Sequence, residues 1–292
     1  MKEVVVVSGK GGTGKTSIAA SFAALCPEKV LADCDVDAAD LHLVLAPEVL
    51  RSTAFVGGQS ASIDPSLCTR CGRCLEVCRY GAVRAPGEGD PFEIDGFGCE
   101  GCSVCAYVCP TGAASMHDCV NGRWFVSRTR HGTLVHARLG VAEENSGKLA
   151  TLVRREARRI AEAEGAPVVL VDGPPGIGCP VIASLTGATA ALIVTEPTLS
   201  GLHDLKRIAE VAEGLGVPQA VCINKWDLNL EGSHGIEEWC HEKGIPIGGL
   251  IPYDTGVTAA QVRGAAVVEC SDGAAATAVS ELWDRVAGMY GL

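Results

Sequence analysis

The residues best placed to do chemistry lie near the start of the chain, in Gly9-Lys10-Gly11-Gly12-Thr13-Gly14-Lys15-Thr16, which fills every position of the phosphate-loop pattern G-x-x-x-x-G-K-S/T. The glycines let backbone N–H groups close around phosphate oxygens, and a helix starting near Thr16 turns its positive end toward the same anion. Lys15 is expected to reach the β- and γ-phosphates, the Thr16 hydroxyl to ligate Mg²⁺, and Ser17 to complete the binding stretch. Two carboxylate segments follow, each at the tip of an apolar run. Asp33, Asp35 and Asp37 alternate after Lys29 to Ala32, where they could hold Mg²⁺ or orient an attacking water. Asp172 ends Val168-Val169-Leu170-Val171 and is expected in the Mg²⁺ shell, and Gly173-Pro174-Pro175-Gly176 after it can sense a γ-phosphate.

A second chemistry is written in cysteine. Cys68, Cys71, Cys74 and Cys78 follow C-x2-C-x2-C-x3-C, and Cys99, Cys102, Cys105 and Cys109 repeat it, with Pro110 after the last. Twice over, this spacing resembles that of two-cluster bacterial ferredoxins, over the stretch from Ile63 to Met116. Three close thiolates can wrap one cubane while the fourth, carried off by a helical turn, caps the other. The resemblance therefore implies one 4Fe-4S cluster on Cys68, Cys71, Cys74 and Cys109, and another on Cys99, Cys102, Cys105 and Cys78. Arg79 stands where a proline usually follows the first run, which removes no ligand. Zinc is the rival metal, but a triple spacing followed by x3-Cys is not the tetrahedral pattern. A purely structural cluster pair is a further alternative.

Lys10 is a second lysine inside the phosphate loop. It resembles the signature lysine of the deviant Walker A ATPases, a family that includes the MinD and ParA proteins, the Mrp-type iron–sulfur carriers and the nitrogenase iron protein. The resemblance implies ATP as nucleotide and a face-to-face homodimer in which Lys10 reaches the partner's nucleotide. It makes Asp35, the second Asp of an Asp-x-Asp, the residue that positions the water. It places Asn224 and Lys225 beside the base, with Pro252 and Asp254 packing on its other side. Asn224-Lys225-Trp226-Asp227 also fits the guanine pattern Asn-Lys-x-Asp, so GTP is the alternative nucleotide. Cys179, seven residues past Asp172, matches the offset of a cluster ligand in the nitrogenase iron protein, but a small residue at a helix start is the simpler reading.

These residues need a scaffold. At 292 residues the chain suits one α/β domain plus an insertion. Hydrophobic residues are 47% and aromatics 4%, which calls for an aliphatic core under a parallel sheet. The expected fold is a mostly parallel sheet with helices on both faces, of P-loop NTPase type, formed by 1–60 and 118–292. An α+β ferredoxin-like insertion is expected at 61–117. Short strand pieces are expected from Ala54 to Ile63 and a hairpin around Arg130-His131-Gly132, with His131 and His136 as ordinary sheet residues. A helix capped by Glu144 to Lys148 runs to about Glu164, with Arg154, Arg155, Arg158 and Arg159 as its solvated face. Strands follow at Ala188 to Thr195 and Gln219 to Ile223, and helices at Leu202 to Leu215 and Gly273 to Leu292.

A net charge of −11 argues against nucleic acid and anionic membranes as partners. The longest uncharged run, Gly173 to Thr195, is broken by prolines and glycines and is not a membrane span. Fifteen cysteines without a secretory signal point to a reducing cytoplasm. The leading expectation is an ATPase that couples dimer rearrangement to low-potential electron transfer, with a redox or iron–sulfur partner protein. A carrier that assembles or delivers clusters is the second, and a spatial organiser of the MinD or ParA kind the third.

Overall fold

The computed structural model describes residues 1–85, 87, 90–140 and 145–292. The chain divides into two compact units, Met1–Thr53 with Trp124–Arg138 and Ser146–Leu292, and Ala54–Arg123 with Leu139–Asn145. Its elements in order are β1 (Lys2–Ser8), α1 (Lys15–Leu25), β2 (Lys29–Asp33), α2 (Leu41–Leu45), β3 (Glu48–Ile63), α3 (Arg73–Val77), β4 (Val83–Arg84), β5 (Glu93–Ile94) and α4 (Val104–Val108). Then come β6 (Ala114–Thr129), β7 (Gly132–Leu139), α5 (Ser146–Glu164), β8 (Val168–Pro175), α6 (Cys179–Leu185), β9 (Ala190–Thr195) and α7 (Leu199–Gly214). The chain closes with β10 (Gln219–Asn224), α8 (Leu230–Lys243), β11 (Ile247–Ile251), α9 (Thr255–Val262), α10 (Val267–Cys270) and α11 (Ala274–Tyr290).

The sheet order is β11-β10-β9-β1-β8-β2-β7-β6-β3, and every pairing from β11 through β7 is parallel. β1 sits centrally because Val4, Val5, Val6 and Val7 are all fully buried, as a strand covered on both faces requires. Register then sets the chemistry. Val6 pairs with Asp172 on β8, and Asp172 pairs with Asp33 on β2, so two acidic strand tips lie side by side next to the strand that feeds the phosphate loop. On one face α1 and α11 share a core with Val4, Val6, Leu31, Leu170 and Leu192, where the Phe22 ring meets Trp283 edge-on at 5.0 Å. On the other, α5, α6 and α7 pack on β2, β8 and β9. The result is an α/β, mostly parallel sheet layered between helices. Among the described residues no helix is long and apolar enough to cross a membrane.

Some elements differ from expectation. The pieces expected from Ala54 to Ile63 are part of one continuous 16-residue strand, β3, held by its sheet partner β6. α5 starts at Ser146, whereas Glu144 of the expected cap lies outside the described residues. The arginine face of α5 is solvated only in part. Arg155 and Arg159 are exposed, but Arg154 is buried and its Nε donates to Glu3 Oε1 at 2.6 Å. Arg158, four residues on and therefore on the same helix face, donates from Nε to Glu3 Oε2 at 2.6 Å. A carboxylate buried on β1 is tolerable only when paired, and two guanidinium groups pair it.

The second unit carries an internal duplication in its backbone. Arg70 (φ 58°) and Gly72 (φ 77°) precede α3, and Gly101 (φ 64°) and Ser103 (φ 63°) precede α4 at equivalent positions. Each five-residue helix ends in a cysteine with extended backbone, Cys78 (φ −74°, ψ 106°) and Cys109 (φ −73°, ψ 115°). β4 and β5 pair antiparallel, Val83 opposite Ile94.

Candidate functional site

The phosphate loop opens a cavity of about 530 Å³, within the usual range for small-molecule sites. Gly11, Gly12, Thr13, Gly14, Lys15, Thr16 and Ser17 form its floor, and Asp35, Pro175, Asn224, Lys225, Pro252 and Asp254 stand around it. Gly14 caps α1 with φ 89°, a left-handed conformation in which a Cβ would also strike Asn224 Nδ2. Gly9, Lys10 and Asp172 do not line the cavity: Gly9 packs against Asp204, and Asp172 lies behind Lys15.

Lys15 is the hinge of the electrostatics. Its Nζ donates to Asp172 Oδ1 at 2.7 Å and lies 3.6 Å from Asp35 Oδ2 and 3.3 Å from Thr16 Oγ1. Burial works against its charge, but Asp172, Asp35 and Asp33 outweigh burial and raise its pKa. Asp33 is fully buried, and burial together with Asp172 pushes its pKa well up. Burial, with Asp172 adding to it, raises Asp35 as well, against the pull of Lys15. Asp37 is exposed, so the expected row of three carboxylates contributes two to this group. Asp33 Oδ2, Asp172 Oδ2 and Thr13 Oγ1 are buried without a hydrogen-bond partner among the described residues. Unpaired buried oxygens of this kind are costly unless something binds them. Together with the Thr16 hydroxyl they are the all-oxygen donor set that Mg²⁺ prefers.

Lys10 is docked within its own chain. Its Nζ sits 2.6 Å from Glu196 Oε1 and donates to Ser200 Oγ at 3.0 Å and Thr198 Oγ1 at 3.3 Å. Lys225 Nζ shares Glu196 at 3.3 Å and donates to the Gly12 carbonyl. Burial opposes charge on Glu196, yet its bonds to the two lysines hold its pKa below the ordinary value. Sequence reasoning missed Glu196, because no motif marks it; a carboxylate directly after β9 was the one available signal. Asn224 Nδ2 donates to the Thr13 carbonyl at 2.8 Å and so ties β10 to the loop. Asp227, the last residue of the guanine pattern, accepts the Tyr253 amide on Oδ1 at 2.7 Å. Asp254 caps α9 by accepting the Gly256 amide at 2.7 Å. His136 is buried beside His42, Phe125 and Ser127, and burial pushes its pKa down to about 4. His131 bonds to Glu269 at 2.8 Å.

In the second unit the eight cysteines fall into two crossed sets. One cavity is lined by Cys68, Cys71, Cys74 and Cys109, and the other by Cys78, Cys99, Cys102 and Cys105, so the last cysteine of each run faces the other run's triplet. Backbone amides already point at sulfur: Ala114 N–H donates to Cys109 Sγ and Ala61 N–H to Cys99 Sγ, both at 3.4 Å. Amides around Cys109, Ala114 first, lower its thiol pKa to about 7. Among the described residues no three His, Cys, Asp or Glu side chains converge as a site for a single metal ion. All fifteen cysteines are free thiols, and Cys179 is exposed at the start of α6.

Comparison with known proteins places this geometry in context. The profile of the CobQ/CobB/MinD/ParA nucleotide binding domain matches residues 4–267. An uncharacterized protein of Methanocaldococcus jannaschii is 32% identical over 230 residues, covering 78% of this chain and 79% of that protein. Among solved structures, the cell division ATPase MinD of Pyrococcus furiosus aligns with a TM-score of 0.61 at 17% identity, covering 99% of both chains. The septum site-determining protein MinD of Pyrococcus horikoshii, in complex with Mg-ADP, aligns with the same score and identity over 99% of this chain and 97% of that one. At this identity the two structures share the fold. The profile match spans both acidic strand tips and the phosphate loop, and the chain belongs to the CobQ/CobB/MinD/ParA nucleotide-binding domain family.

Proposed function

We propose that this protein is a Mg²⁺-dependent ATPase whose nucleotide state is coupled to a pair of 4Fe-4S clusters working in low-potential electron transfer. The hydrolytic half rests on the Lys15 group. Lys15 neutralises Asp172 and Asp35 when no phosphate is present and turns its charge to the β- and γ-phosphates of bound nucleotide. Thr16 and Asp172, with the unpaired oxygen of Asp33 nearby, would hold Mg²⁺, which supplies charge neutralisation on the phosphate oxygens. Asp35 accepts a hydrogen bond from the attacking water and orients it in line. The loop amides and Lys15 stabilise charge on the transferring phosphoryl group. The hydrogen bond from Tyr253 to Asp227 supports adenine over guanine, since one oxygen of the guanine-reading carboxylate is already in use.

The single observation that carries the redox half is the crossed gathering of eight thiols around two cavities. The donor set fits iron–sulfur clusters: soft sulfur ligands, four to a cavity, with amide N–H groups aimed at sulfur. Cys68, Cys71, Cys74 and Cys109 would hold one cluster and Cys78, Cys99, Cys102 and Cys105 the other, each supplying a site for one reversible electron. The fold likeness to MinD favours a second reading, a nucleotide-switched positioning protein, but that reading leaves the eight thiols without work. Anaerobically prepared protein is expected to contain about eight iron and eight acid-labile sulfide per chain, the content of two cubanes, and to hydrolyse ATP with Mg²⁺. Hydrolysis in protein free of iron and sulfide, with stoichiometric zinc in their place, would return the lead to the positioning reading.

A further inference from the structure

The two thiol cavities are duplicates in backbone but not in charge. The triplet loop of the first, Cys68 to Cys74, carries Arg70 and Arg73, and both line its cavity. The corresponding loop of the second, Cys99 to Cys105, carries Glu100, which lines that cavity with no cationic side chain among the described lining residues. Arg79, although next to Cys78, lines neither. The backbone does not separate the repeats in the same way: Arg70 at φ 58° stands opposite Gly101 at φ 64°, and Ser103 at φ 63° opposite Gly72 at φ 77°, so the difference between the two loops is one of charge.

We infer that Arg70 and Arg73 make the Cys68/Cys71/Cys74/Cys109 site the stronger electron acceptor of the two, with Glu100 weakening the other. This rests on the reading of both cavities as 4Fe-4S sites. Reduction adds one negative charge to a site, and a neighbouring cation favours that charge while a carboxylate opposes it. One electron arriving from a low-potential one-electron donor at the Glu100 side therefore passes to the arginine side. The Glu100 site is oxidised and the arginine-lined site reduced, with no bond made or broken and no proton moved. The sequence difference thus gives the pair a direction, toward the arginine-lined site.

The test is a redox titration of the full chain, prepared anaerobically and followed by electron paramagnetic resonance, after iron and sulfide analysis. The wild-type protein is expected to titrate in two one-electron waves at least tenfold apart in equilibrium constant, which is 59 mV for a one-electron couple. In R70Q/R73Q the upper wave falls toward the lower one, R70K/R73K restores it, and E100Q raises the lower wave alone. A variant that loses iron is judged through E100Q, which leaves both arginines in place. Full iron and sulfide with coincident waves, or an R70Q/R73Q protein in which the upper wave stays put, overturns the inference and leaves the cluster reading standing. Wild-type protein without iron overturns both.

Discussion

At the scale of the residue, Lys15 is shared between two tasks. It neutralises the Asp172 and Asp35 carboxylates in the resting site, 2.7 Å and 3.6 Å away, and among the described residues it is the one buried cation lining the phosphate-loop cavity. Hydrogen bonds to charged groups are worth about 1.5 to 3 kcal/mol, so Lys15→Ala is expected to weaken nucleotide binding roughly 10- to 150-fold. Asp35→Ala should leave binding near the parental value in equilibrium titration and slow turnover on the order of 100-fold, since a water-orienting group acts on the way to the transition state. Parental turnover in Asp35→Ala would remove Asp35 from the mechanism. Lys10 offers a different experiment. Its pair with Glu196 is partly exposed, a class of bond worth about 0 to 1 kcal/mol, so it holds the lysine in place without locking it. If Lys10 serves a partner subunit's nucleotide, Glu196→Gln strengthens self-association with a non-hydrolysable ATP analogue and Lys10→Ala weakens it, both read by light scattering. Unchanged association in both variants would confine Lys10 to its own chain.

At the scale of the element, the hairpin turn between β6 and β7 is clamped to α10. Arg130 donates from Nε and Nη2 to the two oxygens of Glu269 at 2.7 Å each, and His131 adds a bond at 2.8 Å. Glu269 also accepts the Ala266 amide at the start of α10. The Arg130 bonds first, then the Ala266 amide and His131, outweigh burial and hold the Glu269 pKa at about 2, below its ordinary 4.5. A depressed carboxylate stabilises the fold above its unfolded pKa and loses that stabilisation as it protonates. The clamp's contribution is therefore complete above about pH 4.5 and fades as pH falls toward about 2. Urea unfolding of wild type and Glu269→Gln should differ near neutrality and converge toward pH 2; a difference constant with pH would show that charge is not the cause.

The same elements explain what could be read from residues in order. β1 was legible because four valines in a row leave a strand no exposed face, and the phosphate loop because its chemistry is local. The crossed grouping of the cysteines follows from their duplicated spacing, and four of them line each of two cavities. Glu196 was not legible, because it lies 186 positions along the chain from Lys10 and no pattern carries that distance. Arg154 was misjudged for the same reason. The helix period gives arginines 154 and 158 a common face, but only the approach of Glu3 from β1 makes that face an interior one. The duplicated left-handed residues before α3 and α4 belong to backbone that the cysteine spacing implies but does not display.

At the scale of the whole molecule, a single chain carries a phosphate-loop cavity in one unit and a pair of thiol cavities in the other. Such a joining has thermodynamic content. If bound nucleotide changes the affinity of the clusters for an electron, an electron changes the affinity for nucleotide by the same factor, and couplings of about 1 to 3 kcal/mol are typical. The most direct measurement is the reduction potential of the two proposed clusters in the full chain with and without Mg²⁺ and a non-hydrolysable ATP analogue, paired with analogue affinity in oxidised and reduced protein. The account predicts a shift in at least one cluster of roughly 40 to 130 mV, that coupling range converted at about 59 mV per tenfold for a one-electron couple, and a matching change in affinity. Identical potentials in both conditions, with equal affinity in both redox states, would contradict it.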